Sequence, residues 1–193
     1  MKETPNLTTS RLTLRPFVME DAEDVYEWTG SWEVTKYLWW YPNRDLETTK
    51  KILSKWIRNQ RNYSWAIAKE NEVIGEIQVI KDLPNKGFEF GITSKVNAWG
   101  KGYMREASFK AIEYLFSSDL YEYGYAESDA RNERSHHLLE ALGFVKVEEK
   151  KNVLIAKKNE TIDIVCFRLD KTNFAAKLKD FETRYPAKAV KNS

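Results

Sequence analysis

A single cysteine, Cys166, among 193 residues excludes a disulfide framework. It sits in an apolar strand pattern, which suits a packed core thiol rather than a nucleophile. The two histidines are adjacent, His136 and His137. Neighbours on a helix point about 100° apart and cannot form an i, i+4 metal pair, so they read as surface residues and no metal site is expected. No run approaches 18 apolar residues, and the N-terminus has no apolar core of a signal segment. A soluble, cytoplasmic protein is therefore the expectation. Neither sign of charge is in excess: 31 Lys and Arg face 29 Asp and Glu, a formal charge of +2, with no basic block. Nucleic-acid binding gets little support from that balance. With eight Gly and five Pro there is no flexible linker, and no repeat or low-complexity tract appears.

What the chain has in quantity is aromatic and amphipathic material. Hydrophobic residues make up 42% and include seven Trp, ten Tyr and nine Phe, while charged residues make up 31%. This is a globular composition, and one domain of this length buries roughly 70% of the surface its unfolded chain exposes. Leu12, Leu14 and Phe17 alternate with polar residues as a first strand. Glu20-Asp21 then opens a helix with Ala22, Val25, Tyr26 and Thr29 as its inner stripe. A dense aromatic run follows: Trp28, Trp32, Tyr37, Trp39, Trp40 and Tyr41. Asp45 suits the cap of a second helix, with Thr49, Ile52, Leu53, Trp56, Ile57 and Gln60 on one face. Residues 63–68 and 73–80 read as a hairpin, and 82–87 as a turn into a strand at 88–94. After a central loop and helix, residues 120–127 read as a strand with Tyr121, Tyr123 and Tyr125 on one face. A short helix over 132–142 stops at Gly143, and strands at 144–149, 153–156 and 161–169 complete the pattern. The order predicts a mixed α/β sheet. From Asp170, the residues Phe174, Ala175, Leu178, Phe181 and Tyr185 repeat at helical spacing, and the polar end from Pro186 reads as frayed.

The chemistry concentrates in residues 97–107. Phe88, Phe90 and Ile92 alternate as a strand upstream, and Met104, Ala107, Ala111, Ile112 and Leu115 repeat at helical spacing downstream. Between them lies Trp99-Gly100-Lys101-Gly102. A helix start carries unpaired N–H groups and the positive end of the macrodipole, and glycine lets a ligand approach the backbone closely. That combination suits a phosphate or pyrophosphate, with Lys101 adding positive charge. The dinucleotide fingerprint fails, because Arg105 stands where its third glycine should be, and no Ser or Thr follows a Gly-Lys pair. A plain nucleotide-binding module is disfavoured on that ground.

Residues Asn97 to Gly102 resemble the (Q/R)-x-x-G-x-(G/A) signature of the GNAT superfamily of N-acetyltransferases, with Asn97 in place of Gln or Arg. The chain is most similar to the RimJ/RimL-like, ribosomal-protein N-acetyltransferase branch. The likeness lies in Ser10-Arg11-Leu12-Thr13-Leu14-Arg15, in Trp99 to Tyr103 with Glu106-Ala107, and in Asn132 to Phe144. The resemblance implies a mixed, twisted sheet of about six to seven strands flanked by about four helices, with a C-terminal helical tail. Residues 1–169 would form a single transferase domain and 170–193 an extension. It also implies an acetyl-CoA-dependent enzyme that needs no metal, in which an amine attacks the thioester directly in a ternary complex.

Carried onto this chain, the resemblance places the pantetheine along Ile92, Thr93 and Ser94. The pyrophosphate falls on the N–H groups of Trp99, Gly100, Lys101, Gly102, Tyr103, Met104 and Arg105. Asn132 would contact the cofactor arm, and Ser135, three residues later, would lie near sulfur as a proton donor. Other members place a Tyr seven residues after this Asn, where this chain has Leu139. Trp39, Trp40 and Tyr41 would wall the acceptor pocket; core packing and a lid loop are the other reading. An amine of pKa about 10.4 must lose a proton, which at pH 7 costs roughly 4 to 5 kcal/mol, so a positioned base would help. Glu89, beside Gly91 on the central strand, is the first candidate and Glu76 the second. The Ile92 N–H is the candidate donor to the developing oxyanion. The acceptor is an amine, either a protein N-terminus or a small molecule, and a homodimer is plausible. A non-catalytic acyl-CoA sensor or partner module is the alternative function.

Overall fold

The computed structural model of the chain describes residues 2–58, 62–117 and 120–184. Gln60, Tyr185 and the tail from Pro186 lie outside them.

Eight strands form one sheet in the order β1-β2-β3-β4-β5-β6-β8-β7. They are β1 (Leu7–Thr8), β2 (Thr13–Arg15), β3 (Ser64–Lys69), β4 (Glu72–Leu83), β5 (Gly87–Ser94), β6 (Tyr123–Asp129), β7 (Val145–Ile155) and β8 (Glu160–Asp170). The helices are α1 (Ala22–Thr29), α2 (Trp32–Thr35), α3 (Leu46–Arg58), α4 (Tyr103–Ser117), α5 (Glu133–Ala141) and α6 (Lys171–Arg184). Every neighbouring pair of strands is antiparallel except β5 and β6, which run parallel and are joined through α4. A parallel pair needs a crossover of this length, and the central loop opens it. No helix among the described residues is long and apolar enough to cross a membrane.

The mixed α/β sheet matches the expected architecture, and its differences are local. The tyrosine-rich strand begins later than expected, at Tyr123. Tyr121 instead turns into the core, its ring centroid 5.1 Å from that of Phe88. Trp28, read as part of the aromatic run, is fully buried on the inner stripe of α1, whereas Tyr26 is half-buried. The two strands expected at 144–149 and 153–156 are one strand, β7, with a register shift between Lys150 and Val153. The aromatic run also contains a one-turn helix, α2, where the Ser31 hydroxyl accepts from the Val34 N–H at 3.4 Å.

Two apolar layers cover the sheet. On one face Ile77, Val79, Phe88 and Phe90 pack with Ala107, Ala111, Ile112 and Leu115 of α4. Behind α4, Phe174 and Phe181 of α6 stack on Phe109, with ring centroids 5.9 and 4.6 Å away. A buried side chain of this kind contributes about 1.5–3 kcal/mol, so α6 is a packed buttress of α4. On the other face Phe17, Val25, Trp28, Leu53, Ala66 and Val73 form a second layer between α1, α3 and the sheet. Cys166 is fully buried beside Ile162 and Ile164, as its pattern predicts.

Candidate active site

The site begins where two strands part. The β5–β6 pairing runs over three positions, Gly87 to Glu89 against Tyr123 to Tyr125, although β5 continues to Ser94 and β6 to Asp129. Beyond Glu89 the strands splay, and a cleft of about 970 Å³ opens between them. The Lys95 N–H donates to the Ile74 carbonyl at 3.1 Å on β4. Alternation along the antiparallel ladder then turns Thr93 toward β4 and the main-chain polar groups of Ile92 and Ser94 toward the cleft. The Ser94 carbonyl accepts there from the Trp99 indole at 3.2 Å.

At the far end of β5 the chain makes a 3₁₀ turn and enters α4. Gly100 and Gly102 have φ of +73° and +76°. A Cβ on Gly100 would meet nothing within 4 Å, so conformation, more than lack of space, is what requires glycine there. Trp99, Gly100, Gly102, Met104 and Arg105 line the cleft, and the first-turn N–H groups of α4 stand at its edge. Two residues expected in the cradle are absent from that lining. The Lys101 side chain is exposed, and the Tyr103 ring lies under the Arg11 guanidinium at 4.7 Å.

The loop is held by a cluster that joins two of the family-like segments. Glu106, buried in the first turn of α4, accepts from the hydroxyls of Thr9 and Ser10 at 2.6 and 3.1 Å, and from the Arg11 N–H at 3.1 Å. Arg11 also binds it through Nε at 2.6 Å and reaches the Lys101 carbonyl at 3.2 Å. Burial alone would raise the Glu106 pKa, but the hydrogen bonds from Thr9 and Arg11 hold it below the usual carboxylate value. The segment opening at Ser10 thus fixes the start of the helix that carries the glycine loop.

One face of the sheet carries a row of carboxylates. Glu76 on β4 is directly opposite Thr93; Glu89 on β5 shares that face with Gly91 and Thr93, as does Glu127 on β6. All three line the cleft. Glu76 is 4% exposed, and burial pushes its pKa up to about 7 against hydrogen bonds from Thr93 and Gln78, the latter at 2.8 Å. Glu89 forms an ion pair with Lys81 at 2.8 Å. Glu127 pairs with Lys150 at 2.7 Å and accepts from the Tyr125 hydroxyl at 2.9 Å.

Across the cleft, Asn132 caps α5 by accepting from the Ser135 N–H at 3.3 Å, and both residues line the cavity. Arg134, next to Ser135, stacks on the Trp99 ring at 3.4 Å. His136 is half-buried rather than a surface residue, its Nε2 lying 3.1 Å from the Asp129 carbonyl. Of the aromatic wall, Trp39 and Trp40 line the cleft. Tyr41 does not: it is 54% exposed, faces Trp32, and donates to the Lys158 carbonyl at 3.2 Å.

Sequence reasoning did not single out Glu127, Arg134 or Lys158. Lys158 is 6% exposed and donates to the carbonyls of Thr35 and Lys36 at 3.0 and 2.8 Å, tying the β7–β8 turn to the end of α2. Each of these contacts joins residues distant in the chain, and no local pattern signals them.

A bare strand edge, an open positive-φ glycine loop at a helix start and a facing capped helix fit an extended ligand ending in phosphates. Comparison with known proteins agrees. Residues 11–145 match the model of the acetyltransferase (GNAT) domain. An uncharacterised N-acetyltransferase, p20 of Bacillus licheniformis, is 33% identical over 175 residues, covering 88% of this chain and 98% of that protein. The structure of a GNAT-family acetyltransferase from Bacillus anthracis superposes with a TM-score of 0.78 at 23% identity, covering 87% of this chain and 99% of that one. Spermidine N-acetyltransferase from Vibrio cholerae, solved with CoA and spermine, gives 0.75 at 19% identity, covering 86% of this chain and 99% of that one. With a domain match over most of its length and a relative this similar, the chain belongs to the GNAT acetyltransferase family and draws its acetyl group from acetyl-CoA.

Proposed function

We propose that the chain acetylates a primary amine, of a protein N-terminus or of a small molecule, by direct attack within a ternary complex. Residues 1–169 are the transferase unit in this reading, and α6 braces α4 from behind. Acetyl-CoA supplies the acetyl group as an activated thioester. The chain's part is to hold that donor, remove a proton from the acceptor and meet the charge that develops.

The observation that carries the reading is Glu76, a buried carboxylate in the cleft wall opposite Thr93, on the strand next to the bare β5 edge. A base held near pH 7 can take a proton from an ammonium group and is regenerated at neutral pH. Glu89 shares that face, but its charge is already engaged by Lys81. We therefore assign the base to Glu76 and a supporting role to Glu89. The Ile92 N–H faces the cleft and serves as donor to the carbonyl oxygen as it becomes negative. Ser135 is the donor to the departing thiolate. Trp39 and Trp40 form the acceptor wall. Membership of the RimJ/RimL-like branch rests on the segments at Ser10, Trp99 and Asn132 and favours a terminal α-amine among the acceptors.

The test is thiol release from acetyl-CoA with a panel of peptides and small amines. Turnover that falls about a hundredfold in Glu76→Gln, with acetyl-CoA affinity retained, is the expected result. Tight acetyl-CoA binding with no thiol release from any acceptor would refute acetyl transfer and leave an acyl-CoA sensor.

A further inference from the structure

Five carboxylates line the cleft: Glu33, Glu76, Glu89, Glu127 and Glu133. Glu133 is an exposed residue in the first turn of α5, and Glu33 is exposed as well, three residues before Lys36. The other three form the row on the sheet face. A polyamine places several ammonium groups along one chain, and recognising it requires carboxylates free to pair with more than the reacting amine. Here the row is largely compensated from within. Lys81 sits opposite Glu89 in the β4–β5 ladder and binds it, and Lys150 reaches across from β7 to Glu127. Among the described residues, Glu76 has no ion pair.

Beside these carboxylates and the polar side chains of Lys36, Gln78 and Arg131, the lining carries aromatic and aliphatic groups. Trp39 and Trp40 are among them, as are Tyr37 and Ile80. Ile80 sits at the register shift between Val79 and Lys81 and lies over Gly91, where an added Cβ would come 2.8 Å from its Cδ1. Aromatic faces and an aliphatic side chain favour an apolar body and tolerate one cation.

Resting on the acetyl-transfer reading above, we propose that Lys81 and Lys150 are specificity residues. By holding Glu89 and Glu127 they leave one carboxylate of the row on the sheet face for the acceptor, so the pocket takes a primary amine with a single positive charge on an apolar body and discriminates against polyamines. Neither lysine touches the reacting atoms; each acts through the carboxylate it occupies. Their side chains are 63% and 39% exposed, so replacing them leaves the core intact.

The experiment compares phenethylamine with spermidine in the full chain, measuring thiol release from acetyl-CoA in the wild type and in the double variant Lys81→Gln/Lys150→Gln. In the wild type, kcat/KM for phenethylamine is expected to exceed that for spermidine at least about tenfold. In the double variant the KM for spermidine falls about tenfold, the order that two partly exposed ion pairs together supply, while the KM for acetyl-CoA stays unchanged. A wild type that prefers spermidine, or a folded double variant with an unaltered ratio, overturns the proposal. Absence of thiol release with every amine would sink acetyl transfer instead. Tryptophan fluorescence titration of the same two amines then decides the charge question alone. Weaker spermidine binding that tightens in the double variant upholds it, and equal binding in both proteins refutes it.

Discussion

Replacing Glu76 by Gln should make the protein more stable and less active at once, and the size of the stability gain can be worked from its surroundings. Burial lifts the carboxyl from an ordinary 4.5 to about 7. The folded chain therefore keeps a proton that the unfolded chain has released, and stability falls as pH rises through that window. The loss begins near pH 4.5, the unfolded value, and is complete above pH 7. A lift of this size corresponds to about 3 kcal/mol. Because Glu76 is only 4% exposed, solvent does little to reduce it. Gln keeps an oxygen to accept from Gln78 and carries no charge at any pH.

The assay is urea unfolding of both proteins between pH 4.5 and 9, run beside pH–rate profiles. Near pH 4.5 the two stabilities should coincide, and by pH 8 the variant should lead by about 3 kcal/mol. The wild-type kcat/KM should rise with pH and level off above about 7, and that limb should vanish in the variant. A stability difference that does not change with pH would refute the reasoning, because it would mean the Glu76 carboxyl titrates alike folded and unfolded.

Gly102→Glu should abolish acetyl-CoA binding by placing an anion in the loop, and Gly100→Ala should cost about 1 kcal/mol through its positive φ alone; calorimetric titration and thermal melts separate the two effects. Glu106→Gln should lower stability at neutral pH by about 2 kcal/mol and weaken acetyl-CoA binding. Since the Glu106 carboxyl is held below its usual value, that gap should close as pH falls through the lowered folded value, which acid titration of the two proteins would reveal. Lys158→Met removes the donor to the Thr35 and Lys36 carbonyls and should raise the acceptor KM several-fold in steady-state assays, with the Kd for acetyl-CoA unchanged. Asn97→Ala should leave acetyl-CoA affinity within about twofold, because Asn97 is exposed and outside the cleft lining.

The parts legible in the sequence were those written locally. The glycine pair before a helical repeat, the Asn132 cap with Ser135 three residues on, and the strand alternation around Gly91 all depend on neighbours within a turn or a strand. The ranking of Glu89 above Glu76 shows where local reading stops. Both carboxylates lie on the cleft face, but the register shift between Val79 and Lys81 sets a lysine opposite Glu89, while Thr93 and Gln78 surround Glu76. No spacing rule places a bulge, so nothing in the sequence assigned a counter-ion to one and burial to the other. Trp39, Trp40 and Tyr41 read as one wall because they are consecutive. The turn after α2 divides them, sending Tyr41 outward to Lys158.

The departure at Asn97 becomes intelligible once the main chain is seen as the recognising element. Where β5 leaves β6, Ile92 and Ser94 present polar main-chain groups to the cleft; left buried without a partner, each such group costs about 1–3 kcal/mol. An extended ligand with its own amides can pair with that edge as a further strand would. The glycine loop continues the same logic with N–H groups for the phosphates. Recognition of this kind requires backbone conformation to be held, which explains why a cluster of hydrogen bonds lies behind the loop, at Glu106 with Thr9 and Arg11, rather than in the side chain at position 97. What the sequence must preserve is therefore the clamp and the two positive-φ glycines, and the residue that opens the signature is free to change.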